Sequence, residues 1–319
     1  MKTRITLSII ALSLFLAYSP ACMAYWIWTP ETGKFINPKF AVKETPQAQF
    51  DWAMGFFQKQ DYKRAINEFD KLIKNYPLSK LASDSQYHIG LSYERLEDYY
   101  QAYRNYQLVI DKYPYTERVD DIIEREYQIA NLFYTGQKAK ILGMAILPAK
   151  DKAIEIFAQV TENAPYGKYA DLAQFKLGQC YMEVKDYINA ALAFKKIIES
   201  YPKSQLVDDA KYQIAICAAQ STSGPQYNEE DTDKAIREFK DFVKRYPESQ
   251  MDDEARSFID TLQEQKAQKS FEVARFYEKK GNLPSAIIYY EEILNNYPES
   301  QWAAQSLERL QVIRKENEK

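Results

Sequence analysis

The chain has 319 residues, a formal net charge of −3 and 46% apolar residues, which is typical of a folded, mildly acidic protein. Because no long basic run offsets this charge, the sequence excludes a basic nucleic-acid binder and predicts no nucleic-acid partner. The 26 tyrosines and nine glycines favour packed helices over sheets with tight turns. Three cysteines are too few for a small disulfide-stapled fold.

Residues 1–24 have the pattern of an export signal. Lys2 and Arg4 precede an apolar run from Ile5 to Tyr18, which is too short to span a bilayer as a helix, since that needs roughly 20 residues. Two processing routes remain open. The signal is cut after Ala24, or a lipoprotein cut before Cys22 gives that thiol a lipid anchor.

Residues 25–45 form a separate aromatic arm. The segment Tyr25–Phe40 reads YWIWTPETGKFINPKF, and aromatic residues on both sides of a Pro-Glu-Thr-Gly turn predict a β-hairpin. Because an isolated hairpin is only marginally stable in water, it must dock on something. Trp26, Trp28 and Phe35 pack either on the first repeats of this chain or on a partner.

Residues 46–317 contain a repeat with three anchors. Six times the chain reads aromatic-Pro or a near variant, at Tyr76-Pro77, Tyr113-Pro114, Ala164-Pro165, Tyr201-Pro202, Tyr246-Pro247 and Tyr297-Pro298. Alanine stands twelve residues before each proline, at Ala65, Ala102, Ala153, Ala190, Ala235 and Ala286. An aromatic residue stands four positions after each alanine, at Phe69, Tyr106, Phe157, Phe194, Phe239 and Tyr290. A small residue also precedes each alanine, at Ala53, Gly90, Ala130, Gly178, Ala215 and Ala274.

This pattern predicts two antiparallel helices in each repeat. The small residue of the first helix meets the alanine of the second, the aromatic residue fills the space beside that contact, and proline ends the second helix. The spacing resembles the tetratricopeptide repeat, a unit of about 34 residues. That resemblance implies an all-α, right-handed solenoid of about six helix-turn-helix repeats.

Three stretches depart from the regular repeat. The third repeat carries extra residues, Thr135 to Pro148, and the fifth carries a polar loop from Ser221 to Glu230. Apolar residues at helical spacing without a breaker predict one long helix from about Asp252 to Lys280. A final helix from Gln301 to about Asn317, with Trp302, Leu307 and Leu310 on one side, is predicted to cap the solenoid.

The sequence offers no catalytic apparatus. His88 is the only histidine, no Cys/His cluster could bind zinc, and no glycine-rich phosphate loop occurs. We therefore expect no catalytic residue, no metal site, no cofactor and no enzymatic activity. Cys180 and Cys217 occupy equivalent positions for small side chains in neighbouring repeats, and we predict that both are buried free thiols.

An aromatic residue stands three positions before each small anchor, at Phe50, Tyr87, Tyr127, Phe175, Tyr212 and Phe271. The resemblance to tetratricopeptide repeats implies that this position faces the concave groove. A ladder of six rings there would suit an extended apolar peptide. The alternative, which stays open, is that the rings pack between neighbouring helices and stabilise the repeat array.

Residues 228–300 resemble the outer-membrane assembly lipoprotein family BamD, also called YfiO. They read NEEDTDKAIREFKDFVKRYPESQMDDEARSFIDTLQEQKAQKSFEVARFYEKKGNLPSAIIYYEEILNNYPES, with that family's order of repeat helix, Tyr-Pro-x-Ser, long helix and final Tyr-Pro. The resemblance implies a scaffold on the periplasmic face of the outer membrane, lipid-anchored or soluble.

The same resemblance implies two partners. The N-terminal repeats would face unfolded β-barrel precursors. The part of the long helix from Gln263 to Ser270 would face a BamA-type barrel protein, with Gln265, Lys266 and Lys269 as candidate contact residues.

A second family gives an alternative function. The segment LASDSQYHIGLSYERLEDYYQAYRNYQLVIDKYP is equally similar to the TolA-binding YbgF/CpoB proteins, which coordinate cell division with the envelope. A generic envelope adaptor built from tetratricopeptide repeats is the broader form of this alternative.

Overall fold

A computed structural model of the protein describes residues 26–29, 33–37, 41–137, 139–141, 144–147, 149–221 and 229–317. The predicted signal in residues 1–24 and the candidate anchor Cys22 lie outside these residues. The chain divides into two compact units, Met1–Thr116 and Glu117–Lys319. Nearly all of the described residues are helical, and the all-α repeat fold is confirmed.

The first unit contains two short strands and four helices. In chain order these are β1 (Ile27–Thr29), β2 (Lys34–Ile36), α1 (Pro46–Gln58), α2 (Tyr62–Asn75), α3 (Leu81–Arg95) and α4 (Tyr99–Lys112). The strands form the predicted antiparallel hairpin, with Trp28 opposite Phe35. Consecutive helices pack on each other, and the first helices of the two repeats, α1 and α3, also touch.

The second unit contains the other four repeats and the cap. In chain order its elements are α5 (Val119–Tyr134), β3 (Ala139–Ile141), β4 (Met144–Leu147), α6 (Ala149–Asn163), α7 (Ala170–Glu183), α8 (Tyr187–Ser200), α9 (Val207–Ser221), α10 (Glu229–Arg245), α11 (Asp252–Lys279), α12 (Leu283–Asn296) and α13 (Gln301–Asn317). The extra residues of the third repeat form an antiparallel hairpin, β3–β4. Ser221, Glu229 and Glu230 are helical, so the polar loop of the fifth repeat is shorter than predicted.

The small residue, the alanine and the aromatic residue of each repeat form the core of both units. All six anchor alanines and all six aromatic residues that follow them have no exposed surface. The fit is closest where the first helix carries glycine. A Cβ atom added to Gly90 would lie 2.5 Å from Cε1 of Tyr106, and one added to Gly178 would lie 2.6 Å from Cε1 of Phe194. Only a residue without a side chain lets the ring lie this close to the backbone.

The turn inside a repeat has a recurring shape. In four repeats an Asp or Asn side chain accepts a hydrogen bond from the backbone N–H three residues later and so caps the second helix. These caps are Asp61, Asp98, Asp186 and Asn282. The residue before each cap has a positive φ, between 58° and 75°, at Gln60, Glu97, Lys185 and Gly281. This left-handed residue ends the first helix, and the cap begins the second one directly after it.

The turn between repeats is set by the aromatic-Pro pair. The residue before proline bonds its N–H to the carbonyl four residues earlier, and its own carbonyl accepts from the N–H three residues later. Tyr76 shows both bonds, to Leu72 and from Ser79, at 2.8 and 3.0 Å. Because proline cannot continue the helix and pushes the preceding residue out of the helical region, each second helix ends at the same place.

The long helix and the cap are present as predicted, with one correction. Helix α13 buries Ala303, Ser306, Leu310 and Ile313, a spacing that follows one helix face. Leu307 was expected on that face, but it is 48% exposed, because it lies about 100° further round the helix than Ser306.

The glycine fit gives a test of the core. We expect Gly90→Ala to destabilise the protein by about 1–3 kcal/mol, because the added methyl group overlaps the ring of Tyr106. That ring cannot move aside freely, since it is fully buried and its hydroxyl donates to Glu94 at 2.7 Å. Urea unfolding followed by circular dichroism measures the change.

Gly55→Ala is the matched control. Gly55 also lies in a first helix, but nothing approaches within 4 Å of its added Cβ, so this substitution should stabilise the helix by about 0.5–1 kcal/mol. Equal stability of the two variants would contradict the proposed fit at Gly90.

Candidate functional site

The six rings of the predicted ladder all contact the second helix of their own repeat. Each ring packs on the buried aromatic residue of the second helix, with ring centroids 5.2–6.0 Å apart. The pairs are Phe50–Phe69, Tyr87–Tyr106, Tyr127–Phe157, Phe175–Phe194, Tyr212–Phe239 and Phe271–Tyr290. The rings therefore contribute to the interface between the two helices of a repeat.

Exposure divides the ladder into two groups. Tyr87 and Tyr212 are buried, with 4% and 6% of their surface exposed. The other four residues are only partly buried. Peptide binding by the ladder stays a prediction, and it now rests mainly on Phe50, Tyr127, Phe175 and Phe271.

Three of these partly exposed rings also reach the next element of the array. Phe50 packs edge-on against His88 in the second repeat. Tyr127 stacks on Tyr169, which directly precedes α7, with centroids 4.8 Å apart. Phe271 lies 5.0 Å from Trp302 in the cap. A change at one of these rings therefore affects the junction between neighbouring helix pairs as well as any groove.

His88 is part of this aromatic packing. Its ring stacks on Phe69 and meets Phe50, Phe57 and Tyr87 edge-on. Its Nδ1 lies 2.8 Å from the carbonyl oxygen of Asp84. These contacts give the lone histidine a structural role within the first unit.

A polar contact between the two helices of a repeat was not predicted from the sequence. The residue four positions before the small anchor sends its side chain to the second helix, three positions after the anchor alanine. Gln86 donates to Oδ1 of Asn105 at 2.8 Å, and Gln174 donates to the carbonyl of Ala193 at 3.0 Å. Gln49 contacts Glu68 in the same way. The sequence signal that could have predicted this contact is a polar residue at a helix position that is otherwise buried.

The fifth repeat replaces this amide contact with ion pairs. Lys211 occupies the equivalent position and lies 2.8 Å from Glu238 and 2.9 Å from Asp241. Burial lowers the pKa of Lys211, but the hydrogen bonds to the two carboxylates outweigh burial and raise it above its usual value. In the fifth repeat, ion pairs at a half-buried site therefore join the two helices.

The three candidate contact residues of the long helix are not equivalent. Gln265 and Lys269 are exposed, and with Gln268 and Glu272 they line a shallow depression on the helix. Lys266 is buried, and its Nζ lies 2.5 Å from Asp233 and 3.1 Å from Glu229, both on α10. Burial lowers the pKa of Lys266, but the hydrogen bonds to Asp233 and Glu229 raise it further than burial lowers it.

This arrangement separates two roles on the same helix. Lys266 joins α11 to α10 within the chain, so its ammonium group is already bound. Gln265 and Lys269 belong to the exposed surface of α11, whereas Lys266 does not. The sequence could not distinguish them, because all three are polar residues within five positions.

The two repeat cysteines are buried and free, as predicted. Burial raises the pKa of both thiols to about 12. Within the described ranges, no group of three or more His, Cys, Asp or Glu side chains could hold a metal ion. No helix among the described residues is both long enough and apolar enough to cross a membrane.

Comparison with protein families gives two matches. Residues 148–318 match the family YfiO, described as outer membrane lipoprotein. Residues 47–79 and 84–114 match the tetratricopeptide repeat. The first match lies in the second structural unit and contains the long helix, and the second match lies in the first unit.

Individual relatives are distant. The outer membrane protein assembly factor BamD of Caulobacter vibrioides is 24% identical over 160 residues, which are 50% of this chain and 52% of the relative. This chain thus matches about half of that protein's length.

Solved structures of repeat proteins are also similar over much of their length. A tetratricopeptide repeat protein from Parabacteroides merdae is 15% identical, with a TM-score of 0.33, covering 83% of this chain and 98% of that one. The MamA protein is 17% identical, with a TM-score of 0.34, covering 64% and 93%.

The buried thiols give a test of the second unit. In the folded protein, Cys180 and Cys217 should resist Ellman's reagent near pH 8, because a thiol with a pKa of about 12 is ionised to roughly one part in ten thousand there. In concentrated urea without reductant, both should react. Fast reaction of the folded chain, or no reaction after unfolding, would contradict the buried, free state.

Proposed function

The chain belongs to the YfiO family of outer membrane lipoproteins, and from this we propose that it is a periplasmic scaffold of the machinery that assembles β-barrel proteins in the outer membrane. The family match carries the proposal, since it covers more than half of the chain and includes the long helix α11. The distant similarity to an outer membrane protein assembly factor supports the same role.

The proposed role is to bind other proteins rather than to catalyse a reaction. Tetratricopeptide repeats fill the chain from the arm to the cap, and their anchors serve packing. In this proposal the protein is exported and held at the periplasmic face of the outer membrane, through a lipid on Cys22 or through its partners.

The long helix is the proposed contact for a BamA-type barrel protein. Its exposed residues Gln265 and Lys269 lie close to Lys266, whose ion pairs with Asp233 and Glu229 hold α11 against α10. A surface fixed in this way loses little conformational freedom when a partner binds. The ion pairs inside the chain thus support binding by the residues beside them.

The partly exposed rings of the first helices are the proposed contact for unfolded barrel precursors. An unfolded barrel strand presents alternating apolar side chains, and ring edges offer contact area at low entropic cost. Phe50, in the first repeat, and Tyr127, in the third repeat, are the first two of these proposed contacts along the chain.

Added negative charge on the long helix tests the first contact. We expect Gln265→Glu with Lys269→Glu to weaken capture of the BamA-type protein by roughly tenfold or more, because the two new carboxylates would lose water at the interface without a charged partner. The measurement is a crosslinking pull-down of the tagged protein from native envelopes, with the captured proteins identified by mass spectrometry.

Lys195→Glu is the control for that experiment, since Lys195 is 62% exposed on α8, away from the long helix. It should leave capture unchanged. Capture of TolA instead of a barrel protein by the unaltered chain would favour the role of cell-division coordinator. Equal capture of the barrel protein by all variants would exclude the proposed surface as its contact.

Removal of one ring tests the second contact. We expect Tyr127→Ala to weaken binding of an unfolded barrel precursor by roughly 1–2 kcal/mol, measured by fluorescence anisotropy with a labelled precursor peptide. Because Tyr127 also packs on Phe157 and Tyr169, the variant must be assayed well below its unfolding temperature.

Phe157→Leu controls for this packing effect. Phe157 has no exposed surface, so the substitution disturbs the same stack without touching a bound peptide. If both variants weaken binding equally, the ring has only a structural role.

A further inference from the structure

The N-terminal hairpin carries an aromatic face that the rest of the described chain leaves uncovered. Trp26, Trp28 and Phe35 are exposed by 58%, 50% and 64%. The pairing of Trp28 with Phe35 places these two rings on one side of the hairpin. Trp26 directly precedes β1 and stands two residues before Trp28, the spacing at which side chains of an extended chain point to the same side. We call these three residues the aromatic face.

The hairpin was expected to dock, either on the first repeats or on a partner. The rings of Trp28 and Phe35 touch each other, with centroids 5.3 Å apart, but more than half the surface of Trp26 and Phe35 remains exposed. A contiguous exposed apolar patch usually marks an interaction surface. A two-stranded hairpin also gains stability when such a face is covered.

We propose that the aromatic face inserts into the headgroup layer of a lipid membrane and holds the N-terminal unit against it. This inference rests on the proposed place of the protein at the outer membrane. Tryptophan is suited to this layer because its ring is apolar while its N–H can bond to headgroups or water.

The length of chain before the hairpin supports a lipid occupant. Cys22, the candidate lipid attachment site of this outer membrane lipoprotein family member, stands four residues before Trp26. Four residues span at most about 14 Å. A lipid on Cys22 would therefore hold the aromatic face in or beside the headgroup layer.

The charge of the segment fits the same surface. In the sequence Tyr25–Phe40 the only acidic residue is Glu31, and Lys34 and Lys39 give a net charge of +1, compared with −3 for the whole chain. A positively charged segment is attracted to the surface of anionic lipids.

Vesicle binding by the chain from residue 23, which carries no lipid, tests the proposal. The probes are vesicles of phosphatidylethanolamine with phosphatidylglycerol, and vesicles of phosphatidylcholine alone. With Trp52→Phe and Trp302→Phe, only Trp26 and Trp28 remain as tryptophans, and their emission should shift to shorter wavelength when vesicles are added. Absence of this shift with both kinds of vesicle overturns the proposal.

A flotation assay then measures the contribution of the rings. The triple variant Trp26→Ser, Trp28→Ser, Phe35→Ser should partition to vesicles less well by about tenfold for each ring removed, since roughly half of each ring's surface leaves water on insertion. Ile188→Ser with Leu192→Ser is the matched control, because these residues are 75% and 58% exposed on α8. Equal partitioning of the triple variant and the unaltered chain, or an equal loss in the control, overturns the inference.

Capture of the BamA-type protein by the same variants separates this inference from the proposed function. The triple variant should keep full capture. Failure of vesicle binding with capture intact overturns the aromatic face as a membrane contact and leaves the scaffold role. Vesicle binding without capture by the unaltered chain overturns the scaffold role alone.

Discussion

The rest of the structure depends on the close approach of two helices at one small residue and one alanine in every repeat. At Gly90 and Gly178 the backbone lies so near the aromatic ring that a single added methyl group would overlap it. The ring four residues after the alanine is buried in all six repeats. Where it fills the space beside a glycine, it fixes both the distance between the two helices and their relative rotation. The turns between the helices then only need to reverse the direction of the chain.

Much of the fold could be predicted because this constraint leaves a fixed spacing in the sequence. The six alanines, the aromatic residues and the prolines recur at constant intervals, and all of these alanines and aromatic residues are buried. The contacts that escaped prediction vary in chemistry. Gln86 donates a hydrogen bond and Lys211 makes ion pairs at the same position, so no single residue type marks this position. The left-handed residues at Gln60, Glu97 and Lys185 are equally unmarked, since the usual signal for that conformation is glycine.

The candidate binding residues were harder to predict for a related reason. Lys266 and Lys269 are both lysines on one helix, yet one is buried in ion pairs with α10 and the other is exposed. The difference comes from Asp233 and Glu229, which lie more than thirty residues earlier in the chain. Likewise, the position of the ladder rings follows from the family pattern, but their burial depends on the second-helix aromatic residues against which they pack. Sequence spacing predicts the position of a side chain on its own helix, but the packing of the neighbouring helix determines how much of that side chain is exposed.

This distinction bears on where partner choice resides. The anchors are nearly the same in all six repeats, so they cannot by themselves tell one partner from another. Under the proposed scaffold role, specific recognition would depend on residues outside these anchors, such as the exposed side chains beside the Lys266 ion pairs, the hairpin inserted in the third repeat and the aromatic arm. The family match, residues 148–318, covers the first of these but neither the hairpin, which ends at Leu147, nor the arm. The long helix therefore lies within the part of the chain that the family match covers, whereas the aromatic face, which is the proposed membrane contact, lies outside it.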